Sequence, residues 1–323
     1  MNDKLATLWR ILIPEKVREE LTSGKLKLLT VIPDGPLALL PFEALIVSTA
    51  DADAPEYLLD VGPPIAYAPS AAVLLNLAKR ERAAGGVAQS LLTLGDPSYS
   101  PATGTAPDAA ERSAAATAGR FRAGLTRLPY TGWESTWVAQ MFEKAGLTSV
   151  KLTGAAATEA AIRQNAAGRE VIHLACHGMA DQNYGNFFGS LAIAPGRSGD
   201  PSDDGFLSMS EIYELNLTGC ELAILSACET NYGPQQQGEG VWALSRGFLV
   251  AGARRVVASN WVVDDQAGAT LVSYFASYLT NGGPDATQRN YAAALHRAKQ
   301  NIRKEDKWRH PFYWSSLVLV GPK

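Results

Sequence analysis

The sequence predicts an α/β protein with a mainly parallel β-sheet and helices on both of its faces. Two patterns predict this fold class. The strand-like segments are short apolar runs without polar alternation, which is typical of strands buried on both faces. The segments between them have apolar residues at helical spacing, so strands and amphipathic helices alternate along the chain.

The first part of the chain, residues 1–89, is predicted to form a β-hairpin followed by a helix. The segment LKLLTVIPD at 26–34 is rich in β-formers and ends at the turn signature Asp34-Gly35-Pro36. We expect LALLPFEALIV to return as the second strand of this hairpin. The helix is expected in YAPSAAVLLNLAKRER, with Ser70 as its N-cap.

The second part, residues 90–323, is predicted to be the main α/β core, and it opens with the strand SLLTLGDP at 90–97. Residues 98–124 contain almost no large apolar side chains to offset the cost of ordering them, so we expect a flexible insertion there. A helix should follow in TGWESTWVAQMFEKAG, where Thr131 and Glu134 have the spacing of a capping box. Further strands are expected in SVKLTG, EVIHLACHG, ELAILSACE, RRVVASNWVV and YWSSLVLVG.

Composition excludes several classes of partner. The 29 basic and 32 acidic residues give a net charge of −3, and no basic tract occurs, so direct binding of nucleic acid is not expected. No apolar run is long enough to cross a bilayer and the first residues do not resemble a signal peptide. We therefore expect a cytoplasmic protein without a membrane partner.

Two residues at predicted strand ends carry the chemistry. His177 lies near the end of VIHLACHG, and Cys228 lies near the end of LAILSACET, 51 residues later. In parallel sheets, ligands bind beyond the carboxyl ends of the strands, where both residues should lie. An imidazole beside a thiol can take its proton and so generate a nucleophilic thiolate. The pair predicts a cysteine hydrolase.

Each residue also has a purely structural interpretation. Cys228 taken alone is as easily the last buried residue of its strand, and an isolated histidine at a strand end is more often structural than catalytic. His173 lies inside an apolar run, where a core histidine bonded to backbone is expected. Cys176 should point to the opposite face from His177, and Cys220 has no nearby base. No ligand cluster indicates a metal, and we expect no cofactor.

These residues resemble those of the CHAT-domain peptidases, which belong with the caspases, separases and gingipains. The resemblance rests on IHLACHG, DGFLSMSEIYELNL, ELAILSACET, GEGVWALSRGFLVAGARRVVASNWVVDDQA and HPFYWSSLVLVG, and extends to VIPDGPLALLPFEAL near the N-terminus. It implies a caspase-like core over 90–323, with 1–89 as the N-terminal part of the same domain. Caspases place their histidine about 50 residues before their cysteine, as here.

The resemblance implies an endopeptidase in which Cys228 attacks the scissile carbonyl and His177 serves as base and acid. The backbone N–H groups of Gly178 and Cys228 would hold the oxyanion. The family often has glycine after CET, whereas this chain has Asn231, a residue that tolerates the left-handed backbone.

Substrate selection is expected near Asn260, Trp261, Asp264 and Asp265. In separase an acidic residue in this stretch helps to receive an arginine side chain, which favours Asp265, and less strongly Asp264, as the receptor of a basic residue. Trp261 would wall the pocket. The alternative, that the two aspartates cap the helix that follows them, is stronger, because acidic residues are typical N-caps.

The expected partners are a protein substrate and an activating partner or an N-terminal repeat or sensor module, which such relatives commonly carry. A role in bacterial defence or cell death would be in keeping with the resemblance. Two alternatives stay open: a non-catalytic interaction module that keeps the fold, and another thiol acyl-transferase.

Overall fold

The architecture is taken from a computed structural model, which describes residues 1–51, 54–80, 90–99, 124–181, 186, 189–196, 203–236, 240–281 and 289–323. The strands are β1 (Leu29–Val31), β2 (Ile46–Ser48), β3 (Glu56–Tyr57), β4 (Ile65–Tyr67), β5 (Ser90–Pro97), β6 (Thr148–Gly154), β7 (Val171–Ala175), β8 (His177–Met179), β9 (Ser190–Ala192), β10 (Phe206–Ser208), β11 (Leu222–Ser226), β12 (Gln235–Gln236), β13 (Gly240–Val241), β14 (Val256–Ser259) and β15 (Leu317–Val320).

The helices alternate with these strands. They are α1 (Asn2–Leu12), α2 (Glu15–Thr22), α3 (Leu58–Val61), α4 (Ala71–Lys79), α5 (Pro129–Lys144), α6 (Glu159–Ala166), α7 (Met209–Glu214), α8 (Leu244–Ala251), α9 (Asp265–Thr280), α10 (Tyr291–Ile302) and α11 (Pro311–Trp314). Among the described residues, none of these helices is both long enough and apolar enough to span a membrane.

The centre of the fold is an eight-stranded sheet in the order β1-β4-β15-β14-β11-β7-β5-β6. The strands β6, β5, β7, β11 and β14 are mutually parallel, as are β15, β4 and β1, and the two groups meet at the antiparallel pair β14–β15. The sheet is therefore mainly parallel, as the sequence predicts. The carboxyl ends of β5, β7, β11 and β14 consequently share one edge with the start of β15.

Side chains of the central strands alternate between two separate hydrophobic cores. Ile172 and Leu174 of β7 pack in one core with α6, α7 and α8, whereas Val171 packs in the other with α5, α9 and α10. Neighbouring β11 follows the same alternation. Both faces of the sheet are thus covered, which explains why these strands lack a polar face.

The predicted N-terminal hairpin is wrong in its pairing. β1 pairs in parallel with β4 and so belongs to the central sheet, while the antiparallel pair of this region joins β2 to β3. The segment after Asp34 forms two short 3-10 turns, Gly35–Leu39 and Phe42–Ala44, in place of a return strand. Local β-propensity therefore located a strand without identifying its distant partner.

Two predicted caps have different outcomes. Ser70 caps α4 as expected, since its hydroxyl accepts a hydrogen bond from the N–H of Val73 at 3.2 Å. Thr131 is not an N-cap, because α5 begins at Pro129 and Thr131 lies inside its first turn. Proline is well suited to that first position because its missing N–H would have no helical partner there.

Candidate active site

His177 lies directly beyond the sheet, where the chain leaves β7 and enters β8. β8, β9 and β10 form a small antiparallel sheet at this edge, with His177 paired to Ala192. The backbone N–H of His177 donates to the hydroxyl of Tyr99 at 3.4 Å, and the two rings lie 5.3 Å apart. The imidazole is thus supported from the end of the neighbouring strand β5.

The His177 ring is fixed by a backbone carbonyl. Its Nε2 lies 2.7 Å from the carbonyl oxygen of Thr126. Because a carbonyl can only accept a hydrogen bond, Nε2 must carry the proton and the neutral ring keeps its lone pair on Nδ1. The sequence offered no sign of Thr126, since any residue could supply this carbonyl.

Cys228 follows β11 and faces the start of the loop after β14. Its Sγ accepts a hydrogen bond from the backbone N–H of Val263 at 3.4 Å. Burial raises the pKa of the Cys228 thiol, and the negative charges of Glu229 and Asp265 act in the same direction. The thiol is therefore protonated at neutral pH and requires a base to become a nucleophile.

Gly178 brings the two chain segments together. A Cβ at this position would lie 2.1 Å from the carbonyl oxygen of Cys228 and 3.1 Å from its nitrogen. Only glycine allows this approach of the two backbones. His177 and Cys228 make no hydrogen bond to each other among the described residues, and within the same part of the chain the N–H of Cys228 has no acceptor.

The turn after Cys228 is held by hydroxyl groups that the sequence did not single out. Thr230 and Ser259 are both fully buried. The N–H of Thr230 donates to Ser259 Oγ at 3.2 Å and the N–H of Ser259 donates to Thr230 Oγ1 at 2.9 Å. These reciprocal bonds tie the turn to the end of β14. Only the pairing of β11 with β14 makes them possible.

Asn231 does not occupy a left-handed conformation, so its tolerance of that backbone is not used here. In this turn that conformation belongs to Glu229, with φ of 55°. Asn231 instead donates through Nδ2 to Asn260 Oδ1 at 2.8 Å and accepts from the Ser245 hydroxyl at 2.8 Å. Asn260, which the sequence predicts to lie near the bound substrate, is only 4 % exposed and takes part in these hydrogen bonds.

The two aspartates before α9 have separate positions. Asp264 is the N-cap of α9 and accepts from the N–H of Ala267 at 2.8 Å, as the capping interpretation predicts. Asp265 is half-buried and accepts a hydrogen bond from the N–H of Tyr130 at 3.4 Å. Burial first, and then the charges of Glu134, Asp264 and Asp96, raise the pKa of Asp265 to about 6.

Trp261 lies beside the turn that follows Cys228, since its carbonyl accepts a hydrogen bond from the N–H of Glu229 at 3.4 Å. Its ring stacks on Phe312 at 6.3 Å with a 20° interplanar angle, and its Nε1–H donates to the Phe312 carbonyl at 3.1 Å. Phe312 is 42 % exposed. The two rings therefore form a partly exposed aromatic wall next to the loop that carries Asp265.

The other predicted residues are buried. His173 is fully buried, but it bonds to side chains and not to backbone: Nε2 contacts Glu134 Oε1 and Nδ1 contacts Thr93 Oγ1, both at 2.8 Å. Cys176 and Cys220 are buried free thiols. Across the described ranges no group of three or more candidate ligands could hold a metal ion.

The predicted insertion at 98–124 is only partly described. The N–H of Ser98 bonds to the Gly154 carbonyl at 3.0 Å and Tyr99 is 8 % exposed, so the start of this segment belongs to the ordered site. Gly124 is also described, and residues 100–123 lie outside the described part of the chain. The sequence missed Tyr99, although an aromatic residue directly after a strand could have indicated it.

Comparison with known proteins agrees with this architecture. The family model of the CHAT domain matches residues 2–322, so the chain belongs to the CHAT domain family. Human tetratricopeptide repeat protein 28 is 30 % identical over 121 residues, covering 38 % of this chain and 5 % of that protein. Its mouse counterpart is 30 % identical over 115 residues, covering 36 % of this chain and 4 % of that protein. The chain thus spans a very small part of these relatives.

Solved structures show the same fold at low identity. The Arg-specific cysteine proteinase gingipain R has a TM-score of 0.56 and 9 % identity, covering 99 % of this chain and 66 % of that one. Separase in its complex with securin from Saccharomyces cerevisiae has a TM-score of 0.51 and 12 % identity, covering 91 % of this chain and 15 % of that one. The fold is that of the caspase-like cysteine peptidases.

Proposed function

We propose that this CHAT domain is a cysteine endopeptidase in which Cys228 is the nucleophile and His177 is the general base and acid. The observation that carries the proposal is the pair of contacts at the strand ends. The Gly178 backbone lies against Cys228, and the Thr126 carbonyl accepts a hydrogen bond from Nε2–H of His177. Nδ1 of His177 therefore keeps its lone pair and can act as a base, and it lies at the same edge of the sheet as the Cys228 thiol, which needs a base.

The reaction follows from these roles. The Sγ proton of Cys228 passes to His177 Nδ1, and the thiolate attacks the substrate carbonyl carbon. His177 then returns that proton to the leaving amine nitrogen as the C–N bond breaks, which leaves a thioester on Cys228. Water, deprotonated by His177, attacks the thioester carbonyl, releases the carboxylic acid and regenerates the thiol.

The oxyanion is proposed to bind at backbone donors. The N–H of Cys228, which has no acceptor among the described residues, is one of them, and the N–H of Gly178 is the second. Losing one such donor in comparable enzymes costs about 10²–10³ in turnover. The close approach of Gly178 to Cys228 supports this arrangement because it fixes both groups against each other.

The proposed substrate is a protein with a basic residue before the cut. Asp265 is the proposed receptor, because its carboxylate is half-buried and hydrogen-bonded only weakly by Tyr130. Burial makes an ionised carboxylate without a cation costly, so a guanidinium or ammonium would be bound strongly. The Trp261–Phe312 wall can pack against the aliphatic part of such a side chain.

The enzyme is proposed to be activated by a partner or by a repeat module. Two features support a resting state: the pKa of Cys228 is raised, and His177 and Cys228 are not hydrogen-bonded to each other in the described part of the chain. The curated relatives carry tetratricopeptide repeats by name, which makes a helical repeat module the preferred activator. A bacterial defence or cell-death role is part of the same proposal.

The same two features favour a second candidate, a non-catalytic interaction module. A protonated thiol without an engaged base is what an inactive relative would present. The two candidates differ in whether His177 accelerates chemistry at Cys228.

The test is labelling with a peptidyl electrophile that ends in arginine. Native protein and the matched control Cys220→Ala, which removes a buried thiol, should be labelled at Cys228. Cys228→Ala should not be labelled, and His177→Ala should react at least about 10²-fold more slowly. Equal rates in native protein and His177→Ala would favour the interaction module, and peptide mass mapping identifies the labelled cysteine.

A further inference from the structure

The segment that holds His177 is itself held by an ion pair between Arg127 and Asp96. Residues 124–128 have no regular secondary structure. Apart from the bond between Thr126 and His177, the hydrogen bonds of residues 124–127 to the described part of the chain are those of Arg127 with Asp96. Within the described part of the chain, the Thr126 carbonyl is therefore flanked by a single side-chain anchor.

This anchor, the clasp, is a bidentate ion pair between Arg127 and Asp96. Arg127 Nε lies 2.9 Å and 3.1 Å from the two carboxylate oxygens of Asp96, and Arg127 Nη2 lies 2.5 Å from Oδ2. A guanidinium fork held by both carboxylate oxygens fixes direction as well as distance. Arg127 therefore restricts the rotation of the backbone that carries the neighbouring Thr126 carbonyl.

Asp96 is displaced from its strand in a way that serves this contact. The β5–β6 register shifts between Gly95 and Pro97, so Asp96 lies at a β-bulge. Its φ is 48°, a left-handed value that is costly for a residue with a side chain. Bulges often redirect side chains next to active sites. Here the side chain of the bulge residue binds Arg127.

Global stability does not account for this pair. The Arg127 side chain is 76 % exposed while that of Asp96 is 16 % exposed, and an ion pair with one partner in solvent contributes little to folding. The start of α5 has separate anchors, since the Thr131 hydroxyl donates to the Leu128 carbonyl at 2.7 Å and accepts from the N–H of Asp96 at 2.8 Å. Removing the Arg127 side chain leaves these bonds in place.

We propose that Arg127 and Asp96 are a positioning pair that holds the Thr126 carbonyl against Nε2 of His177. The proposal rests on the proposed function of His177 as the base. The clasp keeps the Nε2 proton on the carbonyl side, and it therefore keeps the Nδ1 lone pair available to the thiol. It also stabilises the imidazolium that forms when His177 accepts the Cys228 proton, because the positive ring donates more strongly to a fixed carbonyl.

The first experiment compares Arg127→Ala with Arg309→Ala. Arg309 is a matched control because it is an exposed arginine in an ion pair, with Asp306, and the substitution removes the same charge. Arg127→Ala should lower the labelling rate of Cys228 by about tenfold at saturating electrophile, with little change in half-saturation and in Tm, and should shift the pH profile. Arg309→Ala should match native protein in every measurement.

Two further variants test the pair as a unit. Asp96→Asn keeps the side-chain shape and tolerates the left-handed backbone, so its loss of rate should equal that of Arg127→Ala. The double variant should be no slower than either single one, because the second change removes nothing more. Additive losses would overturn the clasp.

A substrate-free measurement separates this proposal from the proposed function. The exchange of the Nε2 proton of His177 with solvent is measured in protein labelled with ¹⁵N-histidine. This proton should be protected in native protein and in Arg309→Ala. In Arg127→Ala it should exchange at least about tenfold faster, because the clasp no longer limits local opening. An unchanged Nε2–H signal in Arg127→Ala would refute the positioning role. If native protein is not labelled, the proposed function loses its support in the isolated chain, and the NMR result alone decides the clasp.

Discussion

Replacing Gly178 by alanine is expected to abolish reactivity at Cys228 while the protein stays folded. The added Cβ would lie 2.1 Å from the Cys228 carbonyl oxygen, more than 1 Å inside the 3.4 Å at which ordinary van der Waals contact begins. The atoms it meets are backbone atoms of Cys228, so no flexible side chain can move aside. The two chain segments must separate instead.

The size of the effect follows from this displacement. Overpacking of this kind costs about 1–3 kcal/mol of folding free energy. A misplacement of about 1 Å between reacting groups can cost about 10²-fold in rate. We therefore expect a modest loss of stability together with a loss of at least two orders of magnitude in labelling of Cys228.

Gly168→Ala provides the control. Gly168 has φ of 74° and no atom within 4 Å of the position of its Cβ. Alanine there costs about 1–2 kcal/mol through backbone strain without touching the site. Labelling rates with the arginine electrophile and thermal unfolding are measured for both variants. If Gly178→Ala labels as fast as Gly168→Ala, the contact between Gly178 and Cys228 does not position the nucleophile.

Two further predictions concern the loops around the thiol. The pKa of Asp265 is raised from 3.8 to about 6, so the folded state binds this proton more tightly than the unfolded state and stability falls as pH rises through that window. Asp265→Asn should therefore raise Tm at neutral pH but not near pH 4, and should weaken arginine-electrophile labelling above pH 6. Asp264→Asn keeps the helix cap and leaves the Asp265 carboxylate in place, so it should not weaken that labelling. In the turn, Glu229→Gly should stabilise the protein by about 1 kcal/mol because glycine relieves the left-handed backbone. Asn231→Gly should destabilise it by about 1–2 kcal/mol because two partly buried hydrogen bonds are lost. Denaturant unfolding measures both, and a stabilising Asn231→Gly with a destabilising Glu229→Gly would contradict the view that Glu229 is the strained residue.

The sequence by itself determined the fold class and the two strand ends that carry His177 and Cys228. Both follow from local information: apolar runs without polar alternation indicate doubly covered parallel strands, and parallel strands present their carboxyl ends at one edge. It also determined the cap of α4 at Ser70, because capping depends on residues three positions apart.

Only the tertiary structure decided which distant segments meet. Three contacts join residues that are separated by long stretches of chain. They are the pairing of β1 with β4, the bond from His177 to Thr126 and the reciprocal hydrogen bonds between Thr230 and Ser259. Their partners are backbone groups or common hydroxyl side chains, which carry no sequence signature. Strand order and loop packing select them, so they become visible only when the sheet is assembled.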